Sequence, residues 1–128
     1  MAEKCPCKGD YLDKLLQPAI LAVLSEGPAY GLELLRELER RHLADGADVT
    51  GFYRALKKLE SAGKLSSDWH AERDGRPRRV FSITPAGAPC LQNWQRTLRA
   101  YLRDVRRISA AVDRACEACG MDKEAGNG

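Results

Sequence analysis

Apolar positions along the first part of the chain fall at Leu12, Leu15, Leu16, Ala19, Ile20, Val23 and Leu24. The three-four spacing puts them on one face of a helix. Asp10 is the expected N-cap and Gly9 the hinge before it. Pro18 lies inside the pattern and predicts a kink or restart, because it has no N–H and its ring crowds the preceding turn. Gly27-Pro28 ends the helix. A second helix is expected to start near Tyr30-Gly31, with Leu32, Leu34, Leu35, Leu38 and Leu43 inward. Glu33, Arg36, Glu37, Glu39, Arg40 and Arg41 form its solvated face. The run Ala44-Asp45-Gly46-Ala47-Asp48 breaks it. A third helix, from about Thr50 to Ala62, buries Phe52, Leu56 and Leu59 and stops at Gly63.

The rhythm then changes from helical to alternating. Leu65–His70 and Arg79–Thr84 read as two short strands, joined by a turn holding Asp74-Gly75 and several arginines. The final pattern is the most regular. Leu91, Leu98, Val105, Val112 and Cys119 recur every seven residues, as do Trp94, Tyr101, Ile108 and Ala115. Such a seam is that of a helix packed against another helix. From Leu91 to Cys119 it would run about 42 Å at ~1.5 Å per residue. A domain of this size cannot cover that length, so a second copy is the natural partner. Leu91, Trp94, Leu98, Tyr101, Val105, Ile108 and Val112 are the expected dimer contacts.

The predicted fold class is therefore mainly α with a small β-hairpin (α+β), a winged helix-turn-helix followed by a long dimerisation helix. The expected divisions are a flexible cysteine-bearing segment over 1–10, the winged domain over 11–84, the dimerisation helix over 85–119 and a disordered tail over 120–128. The 128 residues suffice for one such domain without disulfides. Charge is unevenly spread: residues 1–49 carry six Lys/Arg against nine Asp/Glu, residues 50–84 eight against four, and residues 91–119 six against three. The basic excess begins at the third helix, as in a binder of polyanions. No apolar run reaches membrane-span length and the N-terminus lacks a signal-peptide core, so a cytoplasmic protein with no membrane partner is expected. Phosphate-cradling loops, nucleophile elbows and zinc-protease motifs are absent from the sequence, which argues against an enzyme.

In helix-turn-helix modules the second helix of the motif enters the major groove of double-stranded DNA. Its counterpart here exposes Thr50, Tyr53, Arg54, Lys57 and Lys58, suited to phosphates and to guanine acceptors. Arg73, Arg76, Arg78 and Arg79 would lie along the backbone or in the adjacent minor groove. A merely solvated face is the plainer account, but both basic segments fall where a winged helix touches DNA. A protein–protein adaptor would have no use for them.

Three segments carry a family resemblance. Ile20-Leu21-Ala22-Val23-Leu24-Ser25-Glu26-Gly27-Pro28-Ala29-Tyr30-Gly31 resembles the first-helix signature of the PadR-like transcriptional regulators. Phe52-Tyr53-Arg54-Ala55-Leu56-Lys57-Lys58-Leu59-Glu60-Ser61-Ala62-Gly63 resembles their recognition helix. Gly75-Arg76-Pro77-Arg78-Arg79-Val80-Phe81, with Ile83-Thr84-Pro85-Ala86-Gly87, resembles their wing and the entry to the dimer helix. The resemblance implies a homodimeric repressor with one winged domain on each half-site of a pseudo-palindromic operator. It also implies a small aromatic or hydrophobic effector as an alternative trigger, for which Trp94 and Tyr101 would be lining residues if they are not simply packed in the seam. Leu32 stands where the family usually has an aromatic, Lys64-Leu65 where Leu-Ile is common, and Pro89 blurs the start of the last helix by a turn.

The resemblance does not account for Cys5-Pro6-Cys7 or Cys116-Glu117-Ala118-Cys119. Four thiolates in two close pairs suit zinc, another thiophilic metal or an iron–sulfur cluster. A reversible disulfide or inert thiols are the competing readings. The family's N-terminal segment is expected beside the long helix, which would let the pairs meet and tune DNA affinity. Cys90 precedes Cys116 by about 39 Å of helix at ~1.5 Å per residue, so it is read as a small buried residue near the wing. His42 and His70 read as surface or capping residues.

Overall fold

The structure, a computed structural model, describes residues 15–43, 48–71 and 74–120. Four helices and a small antiparallel sheet follow one another as α1 (Leu16–Leu24), β1 (Ala29–Tyr30), α2 (Gly31–Arg40), α3 (Val49–Ser61), β2 (Leu65–Ala71), β3 (Pro77–Ile83) and α4 (Gly87–Ala118). This is the α+β winged arrangement expected from the pattern. One strand is additional. β1 pairs with β3 through Ala29 opposite Phe81 and Tyr30 opposite Val80, giving a three-stranded sheet in the order β1-β3-β2. Two residues between Gly27-Pro28 and a helix carry no strand periodicity, so only the fold could reveal them.

Pro18 and Pro89 are accommodated by the same device. Each is the third residue of its helix, α1 or α4, where an N–H would have had no intrahelical partner. The start of α1 at Leu16 fits the predicted restart, while Leu12 and the cap assigned to Asp10 lie outside the described residues. α3 is capped by Asp48, whose carboxylate accepts from the Gly51 N–H at 2.6 Å. It ends with Gly63 in the left-handed region (φ 77°), the Lys64 N–H reaching back to the Leu59 carbonyl at 2.9 Å. α2 ends in the same backbone motif with His42 at φ 59°, a capping role in agreement with the sequence reading.

The core of the first compact unit, which runs to Gln92, is apolar throughout among the described residues. Ile20, Leu21 and Leu24 of α1 meet Leu34 and Leu38 of α2 and Phe52 and Leu56 of α3, and Leu65 and Phe81 close it from the sheet. Each such side chain contributes about 1.5–3 kcal/mol when removed from water. Two leucines depart from expectation. Leu32 (51% exposed) lies off the inward arc that Gly31, Leu34, Leu35 and Leu38 complete, and Leu43 (45% exposed) follows the left-handed turn at His42 that takes the chain away from the core.

The exit of the wing is wired to the exit of α3. Thr84 Oγ1 donates to the Gly63 carbonyl at 2.6 Å, and the Thr84 N–H donates to the Lys64 carbonyl at 3.1 Å. Gly87 is then pressed so close that a Cβ would stand 2.5 Å from Ile83 Cγ1 and 2.6 Å from the Lys64 oxygen. The segment Thr84-Pro85-Ala86-Gly87 thus joins the winged domain to α4 through hydrogen bonds and close packing. α4 begins a turn earlier than Leu91, and its residues from Asn93 belong to the second compact unit.

Candidate nucleic-acid interface

On α3, Phe52, Ala55, Leu56 and Leu59 are buried, so helical geometry turns Thr50, Tyr53, Arg54, Lys57 and Lys58 to the opposite, exposed side. All five therefore share one open face. Tyr53 also reaches sideways across the N-terminus of α2, where a Cβ on Gly31 would lie 3.1 Å from the tyrosine hydroxyl and 3.2 Å from its ring. Tyr30-Gly31 is thus adjacent in space to the recognition helix, and the missing side chain leaves room for Tyr53. The Glu33 carboxylate accepts from the Tyr30 N–H at 3.2 Å and fixes the first turn of α2.

Between α2, Tyr53 and the wing lies a cleft of about 580 Å³. Its walls combine the rings of Tyr30, Tyr53, Trp69 and Phe81 with the guanidinium groups of Arg36, Arg78 and Arg79. A concave surface of rings and cations beside a recognition helix suits a sugar-phosphate strand: phosphates meet the cations and sugars lie on the apolar walls. Arg36 and Trp69 were not singled out from sequence. Arg36 reads as one more charge on a solvated helix face, and Trp69 as a strand residue. Their common signal, a cation on α2 facing an aromatic on β2, exists only once the sheet is folded.

Among the wing residues, Trp69 stands opposite Arg79, and His70 opposite Arg78. Strand alternation sends consecutive side chains to opposite faces, so Arg78 and Arg79 have different surroundings although they are neighbours in sequence. Arg78 stacks over the Tyr30 ring at 5.6 Å. Arg79 shares the inward face of Phe81: its guanidinium pairs with Glu60 of α3 at 3.0 Å, its Nε donates to Ser67 Oγ at 2.8 Å, and it lies over the rings of Trp69 and Phe81. Ser67 Oγ in turn donates to Glu60. This network ties the root of the wing to the recognition helix. Arg76 is open to solvent near the turn, where the Asp74 carboxylate accepts from its N–H at 3.0 Å. Arg73 lies outside the described residues.

The cysteine positions divide similarly. Cys116 is half-buried and Cys119 exposed at the end of α4, both as free thiols. Cys5 and Cys7 lie outside the described residues, and no group of three or more His, Cys, Asp or Glu able to hold a metal occurs among those described. Cys90 is half-buried rather than buried, because the first turns of α4 are covered on one side only. Of the expected dimer contacts, Leu91, Trp94 and Leu98 are half-buried, whereas Tyr101, Val105, Ile108 and Val112 are exposed, along with Leu102. No described helix is long and apolar enough to cross a membrane.

This winged helix-turn-helix defines a class of DNA-associated regulators, and comparison with known proteins agrees. The model of the PadR-like transcriptional regulator family matches residues 20–93. The chain belongs to that family, which comprises transcriptional regulators rather than enzymes. It is 34% identical over 86 residues to the transcriptional regulator Rv3488 of Mycobacterium tuberculosis, covering 67% of this chain and 78% of that protein. Among solved structures it resembles TA0346 of Thermoplasma acidophilum, with a TM-score of 0.69 at 23% identity, covering 77% of this chain and 94% of the other. It also resembles smu.1704 of Streptococcus mutans, with a TM-score of 0.65 at 28% identity, covering 77% and 89%.

Proposed function

We propose that the chain is a homodimeric, sequence-specific DNA-binding repressor that reads each half-site of a pseudo-palindromic operator with α3 and steadies it with the wing. The carrying observation is the single exposed face of Thr50, Tyr53, Arg54, Lys57 and Lys58 beside a cleft that continues to Arg78. Lys57, Lys58 and Arg54 supply cations for phosphates or guanine, and Tyr53 donates to a phosphate. Arg76 and Arg78, with Arg73, serve the backbone or minor groove. Arg36 and Trp69 extend this surface along the cleft. Arg79 is a positioning residue that sets the wing against α3. The dimer forms through Leu91, Trp94, Leu98, Tyr101, Val105, Ile108 and Val112.

The test is a salt titration of DNA binding. Changing Lys57 and Arg78 to Ala should weaken binding at all sequences and lower the slope of log affinity against log salt by about 2, near 0.9 per lost phosphate contact. An unchanged slope would remove both residues from the interface.

DNA affinity is, in this proposal, tuned by the cysteines. Cys116 and Cys119 stand about one turn apart with free thiols, and Cys5 and Cys7 would complete a thiolate quartet for zinc, another thiophilic metal or an iron–sulfur cluster. Metal and sulfide analysis of anaerobically purified protein, with its absorption spectrum, tests this directly. Equal metal content and equal DNA affinity in a Cys116→Ser, Cys119→Ser variant would overturn it. A hydrophobic effector beside Trp94 and Tyr101 is the competing trigger, supported by the half-buried Trp94 ring next to the exposed ring of Tyr101.

A further inference from the structure

The face of α4 that carries no apolar seam has a charge pattern of its own. Over residues 96–107 the chain reads Arg-Thr-Leu-Arg-Ala-Tyr-Leu-Arg-Asp-Val-Arg-Arg. At about 100° per residue, Leu98, Tyr101, Leu102 and Val105 share one side of the helix, whereas Arg96, Arg99, Arg103, Arg106 and Arg107 fall within an arc of about 100° on the other. All five are exposed. Arg96 donates to the Asn93 side chain, and the other four have no hydrogen bond or ion pair among the described residues. Asp104, the one carboxylate in the stretch, projects to the side and is not paired with them.

We propose that this arginine face is a second duplex-DNA-binding surface, distinct from the winged one, that holds the phosphate backbone without reading sequence. Three features favour phosphate over simple solvation. A face kept for solubility mixes both signs, with Glu and Lys paired at four-residue spacing, whereas this one is of a single sign. The cations of α4 are six arginines and no lysine. The guanidinium is the planar, weakly hydrated fork that grips phosphate oxygens two at a time. From Arg96 to Arg107 the row is about 16 Å long at ~1.5 Å per residue. One DNA strand presents a charge every ~3.4 Å along the axis, so about five phosphates lie opposite five guanidinium groups.

The apolar side of the same helix explains why the row stays available. Pairing of two copies through Tyr101, Val105 and Ile108 buries the side away from the arginines and leaves them uncovered. Arg99, Arg103 and Arg106 border a shallow groove whose other walls are Leu98 and Leu102. The aliphatic stems thus rest on leucine while the charged ends remain in water.

The experiment uses the full chain and a fluorescent 30-base-pair duplex of random sequence, titrated at several salt concentrations. A variant with Arg99, Arg103, Arg106 and Arg107 all changed to Gln keeps the helix-forming character of α4. It should lose about 3 to 4 from the salt slope, at near 0.9 per phosphate, and at least tenfold in affinity at 0.1 M salt. Light scattering and thermal melting should match the parent, which separates lost contacts from lost folding. A Lys57→Ala, Lys58→Ala variant run in parallel keeps the two surfaces apart. If it binds as the parent while the arginine variant is weakened, the α4 surface stands and the α3 reading falls. If the arginine variant keeps the parent's slope and affinity, the second surface is overturned, whatever the α3 variant does. A variant that dissociates into monomers is replaced by the single changes Arg103→Gln and Arg107→Gln. Each should lower the slope by about 0.9, and no change in either overturns the proposal.

Discussion

The winged domain and the distal part of α4 use apolar side chains in opposite ways. In the first, Phe52, Ile20, Leu21, Leu34 and Leu56 are sealed by three helices and a sheet, and the polar groups at the surface are bound to one another. In the second, Leu102, Val105, Ile108 and Val112 are each more than half exposed on a helix with no covering layer in the same chain. The amphipathic pattern is equally clear in both. What differs is whether the chain supplies its own cover. An apolar seam that length leaves open marks an interaction site, and the heptad spacing specifies a helix as its occupant.

Substitutions should separate the two regions by their dependence on protein concentration. The largest effect is expected for Phe52→Ala, about 3–5 kcal/mol of lost stability at every concentration, read by denaturant unfolding. The paired change Val105→Glu, Ile108→Glu should instead raise the dimer dissociation constant at least a hundredfold, since two buried branched side chains contribute about 1.5–3 kcal/mol each. Sedimentation at several concentrations measures it, and a dimer of undiminished strength would exclude the seam. Gly87→Val probes the junction. Its side chain would overlap Ile83 and the Lys64 carbonyl, costing about 1–3 kcal/mol as overpacking does, and unfolding should report the loss. Asp48→Ala removes the α3 cap and should cost about 1 kcal/mol, lowering the melting temperature without moving the dimer equilibrium.

The smallest effect concerns acid. Arg40 and Arg41 beside Glu37 hold its carboxyl down at about 2, from an ordinary 4.5, and Arg41 also lowers Glu26, the arginines being raised in return. A depressed carboxyl stabilises the fold fully above its ordinary range and loses that contribution as pH falls toward the depressed value. These side chains are exposed, so the contribution is small. The stability difference between the parent and Glu37→Gln should therefore narrow as pH is lowered from 6 to 2, and a constant difference would show the ion pairs to be inert.

How much was legible in advance follows from range. Three helices, the hairpin and the long amphipathic helix rest on local periodicity, and each appears close to its expected place. Leu32 and Leu43 were misassigned because an apolar residue near a helical stripe reads as part of it. Whether it faces inward depends on neighbours many residues away. β1 was missed because two residues have no period.

The candidate site divides along the same line. The exposed face of α3 was readable from the spacing of Phe52, Leu56 and Leu59 alone, since burying those three turns Thr50, Tyr53, Arg54, Lys57 and Lys58 outward. The different roles of Arg78 and Arg79 were not, because they depend on Glu60 and Ser67 meeting one side of β3 while Tyr30 meets the other. Composition and spacing by themselves determined the winged architecture, the basic segments and an amphipathic helix longer than its own domain could cover. Only the tertiary structure decided which cations were committed to holding the wing, which residues formed the cleft beside Tyr53 and which apolar side chains were left in water. Periodicity acts between neighbours along the chain, whereas pairing and burial are set by residues that folding brings together.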